Sequence, residues 1–286
     1  MALAQLPLFE IAESHIGPAS LGQTNVTEIY VKQILAKGAG SLKDFDYTLN
    51  PYIGCGFGCS YCYASFFQAD LDKFEKWGNW VQIKKNAERL LLQKHGLKNA
   101  LVFMSSATDP YQPLERKVGL TRRLVEIMSD PLRQPRLLVQ TRSPLVTRDL
   151  DLFSRFDRLR VSMSITTDSE VIRKEFEPGC ASIERRMEAI REAKLAGLET
   201  AVSVCPLLPV EDPEKFAQKL AALEADSYWS GFFHNTDRSF AANTRDAAWE
   251  LARSRGWDEA EYRRTVEALT KHLPALNART RSFRKG

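Results

Sequence analysis

YTLNPYIGCGFGCSYCYA, residues 47–64, is the stretch on which both the fold and the chemistry turn. A short apolar run with β-branched Thr48 and Ile53 reads as a strand and delivers the chain into Cys55-x3-Cys59-x2-Cys62. Gly54, Gly56 and Gly58 let the backbone curl closely around a bulky centre. A structural zinc site wants four ligands, and no second CxxC pair or paired histidines follow at zinc spacing. A [4Fe-4S] cluster held by three thiolates keeps one iron open, and that iron can chelate a small molecule.

Working outward, apolar runs rich in β-branched residues alternate with helical patterns. ALVFMSS (100–106), RLLVQTRS (136–143), LRVSMSITT (159–167), ETAVSVCPLLP (199–209) and YWSGFFHN (228–235) read as further strands. Between them lie VGLTRRLVEIMSD (118–130), SIERRMEAIREAKLAGL (182–198) and a helix over 211–224. In the second of these, Ile183, Met187, Ile190 and Leu195 are expected on one buried face before a glycine cap.

Six strands with helical crossovers predict an α/β protein, a partial (β/α)6 TIM-like barrel over residues 47–240. Residues 1–46 read as an irregular N-terminal arm, and residues 241–286 as a C-terminal helical cap ending in a basic tail. Barrels of this kind place their chemistry at the C-terminal ends of the strands. The polar residues there are the Cys loop, 105–109, 141–143, 164–168, Cys205-Pro206 and His234-Asn235.

The 286 residues carry 40 Lys and Arg against 36 Asp and Glu, a net charge of +4 that permits a nucleic-acid partner without requiring one. Five cysteines, unevenly placed, exclude a disulfide framework. The first residues carry no positively charged leader and no apolar run approaches the length of a spanning helix, so a cytoplasmic, non-membrane protein is expected.

NPYIGCGFGCSYCYA, SSATDPYQPLE, QTRSPLVTRDLDLF, VSMSITT and the strand ending in PLLP together resemble the radical S-adenosylmethionine superfamily, and within it the spore photoproduct lyase-related "DNA repair photolyase" group. The resemblance implies that Cys55, Cys59 and Cys62 ligate a [4Fe-4S] cluster whose open iron binds S-adenosylmethionine. An electron from a low-potential donor of the flavodoxin or ferredoxin type then splits the cofactor into methionine and a 5′-deoxyadenosyl radical. It further implies that Tyr61 lies under the adenine and Tyr63 near the substrate, and that Thr108, Asp109, Arg142, Ser164 and Thr166 contact the cofactor. A DNA or nucleotide base lesion is the implied substrate, with a peptide or small metabolite as the alternative. A non-enzymatic zinc or iron–sulfur protein would cleave no S-adenosylmethionine.

Two positions depart from the group's pattern. Arg142 stands where lysine is usual, which keeps the charge but presents a planar fork. Ser106 stands where the lyase carries its hydrogen-donating cysteine, and a hydroxyl O–H is too strong to serve. Cys205, ending the fifth strand, is the candidate substitute, although free cysteine also commonly fills core gaps.

Blander readings apply elsewhere. Cys180 reads as an idle loop thiol, His95 and His272 as helix-end residues, and Asp168 as an N-cap. His234 reads either as a substrate contact or as a strand-end imidazole. The five tryptophans look scattered, and the tail residues Arg279, Arg281, Arg284 and Lys285 are unopposed by acid.

Overall fold

The computed structural model describes residues 20–235 and 242–276; residues 1–19 of the arm and the basic tail lie outside them. Two sheets carry the described strands. The larger is built on β4 (Tyr47–Leu49), β7 (Leu101–Met104), β8 (Arg136–Thr141), β9 (Leu159–Ser164), β10 (Glu199–Val204) and β11 (Ser227–Ser230), with β3 (Leu35–Lys37) at its edge. Its order is β11-β10-β9-β8-β7-β4-β3, parallel throughout except for the antiparallel β3–β4 pair. The mixed α/β class is therefore as the sequence implies. The sheet is open: no pairing among the described residues joins β11 to β3.

Period-two alternation decides what each face of this sheet becomes. In β9, Leu159, Val161 and Met163 join the main core under the helices, while Arg160, Ser162 and Ser164 alternate with them. On β7 and β8, Leu101, Phe103 and Leu138 leave that core for a separate small cluster with Leu42 and Phe45 from the arm. Beyond it the inward positions turn polar: Gln140 Nε2 donates to Ser164 Oγ at 2.8 Å, and Ser162 Oγ donates to Gln140 Oε1 at 2.8 Å. One face is thus apolar, and the other becomes a hydrogen-bonded wall suited to a ligand.

Three expectations are corrected. YTLNPYI is not one strand. The chain breaks at Asn50-Pro51, and β5 (Tyr52–Gly54) enters a second sheet. That sheet also holds β1 (Ser20–Leu21), β2 (Thr24–Ile29) and β6 (Trp80–Lys84), so the arm is partly regular and β6 is a strand the sequence pattern did not reveal. Finally, the helix Ile183–Leu195 buries Ile183, Met187 and Ile190, but Leu195 is 88% exposed. Five residues past Ile190 is about 140° round an α-helix, and the buried place falls to Ala193 instead.

The C-terminal helices lie where expected, Asp246–Ser254 and Glu259–His272, the latter capped by Asp258 accepting from the N–H groups of Ala260 (2.8 Å) and Glu261 (2.9 Å). They bring Trp249 to 5.0 Å from Phe233 and Tyr262 to 5.1 Å from Phe232, ring centre to ring centre, behind the end of β11. Among the described residues no helix is long and apolar enough to cross a membrane.

Candidate functional site

The cysteine loop hangs between the two sheets. Gly54, with φ +80°, makes the turn out of β5 against Trp80, where a Cβ would come within 2.6 Å of the Trp80 carbonyl oxygen. The loop is then tied to the segment after β7. Thr108 Oγ1 donates to Gly54 O at 2.6 Å, and Gln112 accepts from Gly56 N–H at 2.8 Å while donating to Thr108 Oγ1 at 3.1 Å. Asn50 adds a second tie, donating to Ser106 Oγ at 3.0 Å and accepting from Ala107 N–H at 2.8 Å.

Cys55, Cys59 and Cys62 edge a cavity of about 340 Å³ at the C-terminal ends of the parallel strands. Tyr61, Tyr63, Thr108, Asp109, Arg142, Ser164 and Cys205 line the same cavity. Of the residues that the resemblance assigns to cofactor or substrate, Thr166 alone does not line it: it is 1% exposed, with its hydroxyl donating to Glu177. Ser106 and His234 also line it, and His234 packs edge-on against Tyr63 at 5.1 Å. The tryptophans are less scattered than they look in sequence. Trp77 and Trp229 line the cavity, and Trp249 backs the Phe232–Phe233 wall.

All five cysteines are free thiols. Burial raises the Cys55 thiol well above its ordinary value, with Asp109 and the other two thiols adding to it; burial and Cys59 push Cys62 up to about 11. Cys59 goes the other way: its contact with Cys180, helped by Arg142 and Arg186, lowers its thiol against the cost of burial. A centre that supplies positive charge would deprotonate all three outright. Among the described residues no group of three His, Cys, Asp or Glu converges on a single-ion position. The thiol-only donor set, spread along a cavity wall, fits an iron–sulfur cluster.

Other side chains have tasks that sequence alone did not assign. Asp109 is 5% exposed and accepts from Thr141 Oγ1 (2.7 Å), Arg142 N–H (2.7 Å) and Tyr111 N–H (2.9 Å), so its carboxylate binds the ends of two strands together. Tyr61 is 5% exposed; its hydroxyl donates to Glu177, and the Arg142 guanidinium sits 5.5 Å over its ring. The Tyr63 hydroxyl donates to the carbonyl of Ser106. Cys180, in the loop between the helices Glu170–Phe176 and Ile183–Leu195, is buried with Sγ 3.8 Å from Cys59 Sγ. The Cys205 sulfur occupies room left by Gly231, where a Cβ would stand 2.5 Å from it.

Asn50 and Gln112 fall within quoted motifs, NPYIG and TDPYQPLE, so their signal was position without a visible partner. Glu177 and Cys180 share the segment FEPGC, whose backbone straps the loop: Ser60 N–H donates to Phe176 O at 2.9 Å and Gly179 N–H to Phe57 O at 3.1 Å.

Similarity to other proteins agrees with this geometry. The model of the Radical SAM superfamily matches residues 49–223. An uncharacterized protein of Methanocaldococcus jannaschii is 34% identical over 163 residues, covering 57% of this chain and 61% of that one. An uncharacterized protein of Acidianus two-tailed virus is 30% identical over 215 residues, 69% of this chain and 70% of that one. The match thus spans less than two thirds of the archaeal relative's length.

Among solved structures, spore photoproduct lyase complexed with dinucleoside spore photoproduct shares the fold at TM-score 0.64 and 14% identity, over 98% of this chain and 87% of that one. Streptococcus suis SuiB bound to S-adenosylmethionine shares it at TM-score 0.50 and 12% identity, over 91% of this chain and 51% of that one. With three cysteines on one cavity wall and a family match running across the strands that build it, the chain belongs to the radical SAM superfamily, whose members are enzymes.

Proposed function

We propose that this chain binds a [4Fe-4S] cluster through Cys55, Cys59 and Cys62 and uses S-adenosylmethionine to start a hydrogen-abstraction reaction in the cavity. The observation that carries this is the convergence of those thiols with Tyr61, Thr108, Asp109, Arg142, Ser164 and Cys205 on one space. When bound, the cluster supplies the electron that splits the cofactor into methionine and a 5′-deoxyadenosyl radical, with a flavodoxin- or ferredoxin-type donor restoring that electron. The open sheet is read as a partial (β/α)6 barrel with the cavity at its mouth, in a cytoplasmic chain whose thiols stay reduced.

The residues bind, orient and shield. Arg142, its side chain 21% exposed and lining the cavity, is placed to take a carboxylate or ribose oxygen. Ser164 offers a hydroxyl at the end of β9. Thr166 acts from behind the wall through Glu177, and Asp109 by holding the Arg142 backbone. Tyr63, His234 and the Phe232–Phe233 wall form the substrate side and exclude water. Ser106 leaves the hydrogen-donating position without a thiol, so Cys205 is assigned that role: its S–H breaks, a substrate C–H forms, and a thiyl remains on the sulfur.

For the substrate, a nucleic-acid base lesion is favoured by the likeness to the lyase bound to a dinucleoside and by the aromatic wall. Ser106 in place of the lyase cysteine favours a second reading, in which the substrate is a peptide or small metabolite. The test is anaerobic reconstitution with iron and sulfide, then dithionite and S-adenosylmethionine. 5′-Deoxyadenosine is expected; none from a chain with full iron content would overturn the assignment. Steep weakening of DNA binding between low and moderate salt would support a nucleic-acid partner, and flat dependence would remove it.

A further inference from the structure

Three residues given to the cofactor above, Tyr61, Arg142 and Thr166, meet at one side chain, to which that reading gives only the contact with Thr166. Glu177, just past the helix Glu170–Phe176, is fully buried. Its Oε1 accepts from Thr166 Oγ1 at 2.9 Å and from the Tyr61 hydroxyl, and Arg142 Nε stands 3.5 Å from the same oxygen and 3.1 Å from the Tyr61 oxygen. Its Oε2 lies 2.6 Å from Arg186 Nη2, an ion pair with both side chains 0% exposed.

The two arginines divide the carboxylate unequally. Arg186 is anchored in the protein by its own donors, Nε to Ala181 O at 3.0 Å and Nη1 to Ser164 O at 3.2 Å. It balances the Glu177 charge where water cannot. Arg142 faces the cavity and is held at both ends: its backbone N–H by Asp109, its guanidinium by Glu177, Tyr61 and, at 3.3 Å, Cys205 O. Without the carboxylate, the buried Arg186 guanidinium would lose its counter-charge, Arg142 would lose an anchor on its cavity-facing guanidinium, and the Tyr61 hydroxyl would lose its acceptor.

We propose that Glu177 is a positioning residue: it fixes Tyr61 and Arg142 in the orientation that receives S-adenosylmethionine, and so sets cofactor affinity without touching the cofactor. This rests on the reading of the cavity given under Proposed function. It predicts that Glu177→Gln, which keeps the shape but loses the charge, leaves iron and sulfide content unchanged in the reconstituted holoenzyme. The dissociation constant for S-adenosylmethionine, measured by equilibrium dialysis, should rise about tenfold or more. The cofactor-induced change in the electron paramagnetic resonance spectrum of the reduced cluster should then need correspondingly more cofactor.

Should Glu177→Gln fail to fold, the pair Glu177→Gln/Arg186→Gln removes one charge of each sign from the buried triad, and the same loss of affinity is expected. Wild-type affinity in whichever variant folds overturns the proposal. So does loss of iron from both, because Glu177 would then be part of the scaffold. If wild type itself binds no S-adenosylmethionine, it is the cofactor reading that fails, and the proposal falls with it.

Discussion

The sulfur of Cys180 lies 3.8 Å from that of Cys59, buried, and 121 positions further along the chain. A thiol so close to a proposed cluster ligand invites the question of whether it is a ligand itself. The expected answer is that it is not. Cys180→Ala should keep full iron and acid-labile sulfide after reconstitution, at a stability cost of about 1 kcal/mol for a small buried group. Cys59→Ala should lose the cluster. Equal iron loss in the two variants would move Cys180 into the ligand set.

Gly231 and Cys205 form a size-matched pair. A methyl at position 231 would stand 2.5 Å from the sulfur, well inside van der Waals contact. Gly231→Ala should therefore cost about 1–3 kcal/mol through overpacking. Adding Cys205→Ala to it should recover much of that loss, which a double-mutant cycle on thermal midpoints would reveal. In deuterated water, both single variants should transfer less deuterium to product if Cys205 is the donor.

Acid should reveal Glu177. Burial alone would raise its carboxyl, but Arg186, Arg142 and the Tyr61 hydroxyl outweigh it and hold the group at about 2. A carboxyl depressed in the folded state contributes stability above its unfolded value, near 4.3, that is lost as pH falls through the folded one. The contribution is on the order of 3 kcal/mol. The urea midpoint of cluster-free wild type should fall between about pH 4.5 and 2 more steeply than that of Glu177→Gln. Parallel curves would show that the carboxyl is not held low.

Gln112 tests the tie between the two loops. Gln112→Ala strips Gly56 N–H of its acceptor, a loss of about 1 kcal/mol for a part-buried hydrogen bond. The variant should still load iron but surrender it to a chelator several-fold faster than wild type. An unchanged release rate would mean that the loop keeps its shape without the glutamine.

What was readable from the sequence was what is local. The cysteine spacing, the strands with β-branched runs and the C-terminal helices each declare themselves within a dozen residues. Thr108, Arg142, Ser164 and Cys205 were found because strand ends of a parallel sheet meet at one place. Glu177 was not, since its link to Tyr61 spans 116 positions and a glutamate at a helix end carries no mark of a buried partner. β6 escaped because its partner β5 has only three residues and lies past the break at Asn50-Pro51, inside a run that reads as one continuous strand. Leu195 misled through spacing: it follows the buried face by one residue too many.

The division of the chain at Asn50-Pro51 also bears on timing. β4 is held by β7, β5 by β6, and the loop they suspend is strapped by residues 176–180. A polypeptide emerging from the ribosome therefore presents Cys55, Cys59 and Cys62 before it has made the segments that shape their loop. The shape of the loop is therefore a late product of folding, set by a segment that the chain makes only after β9.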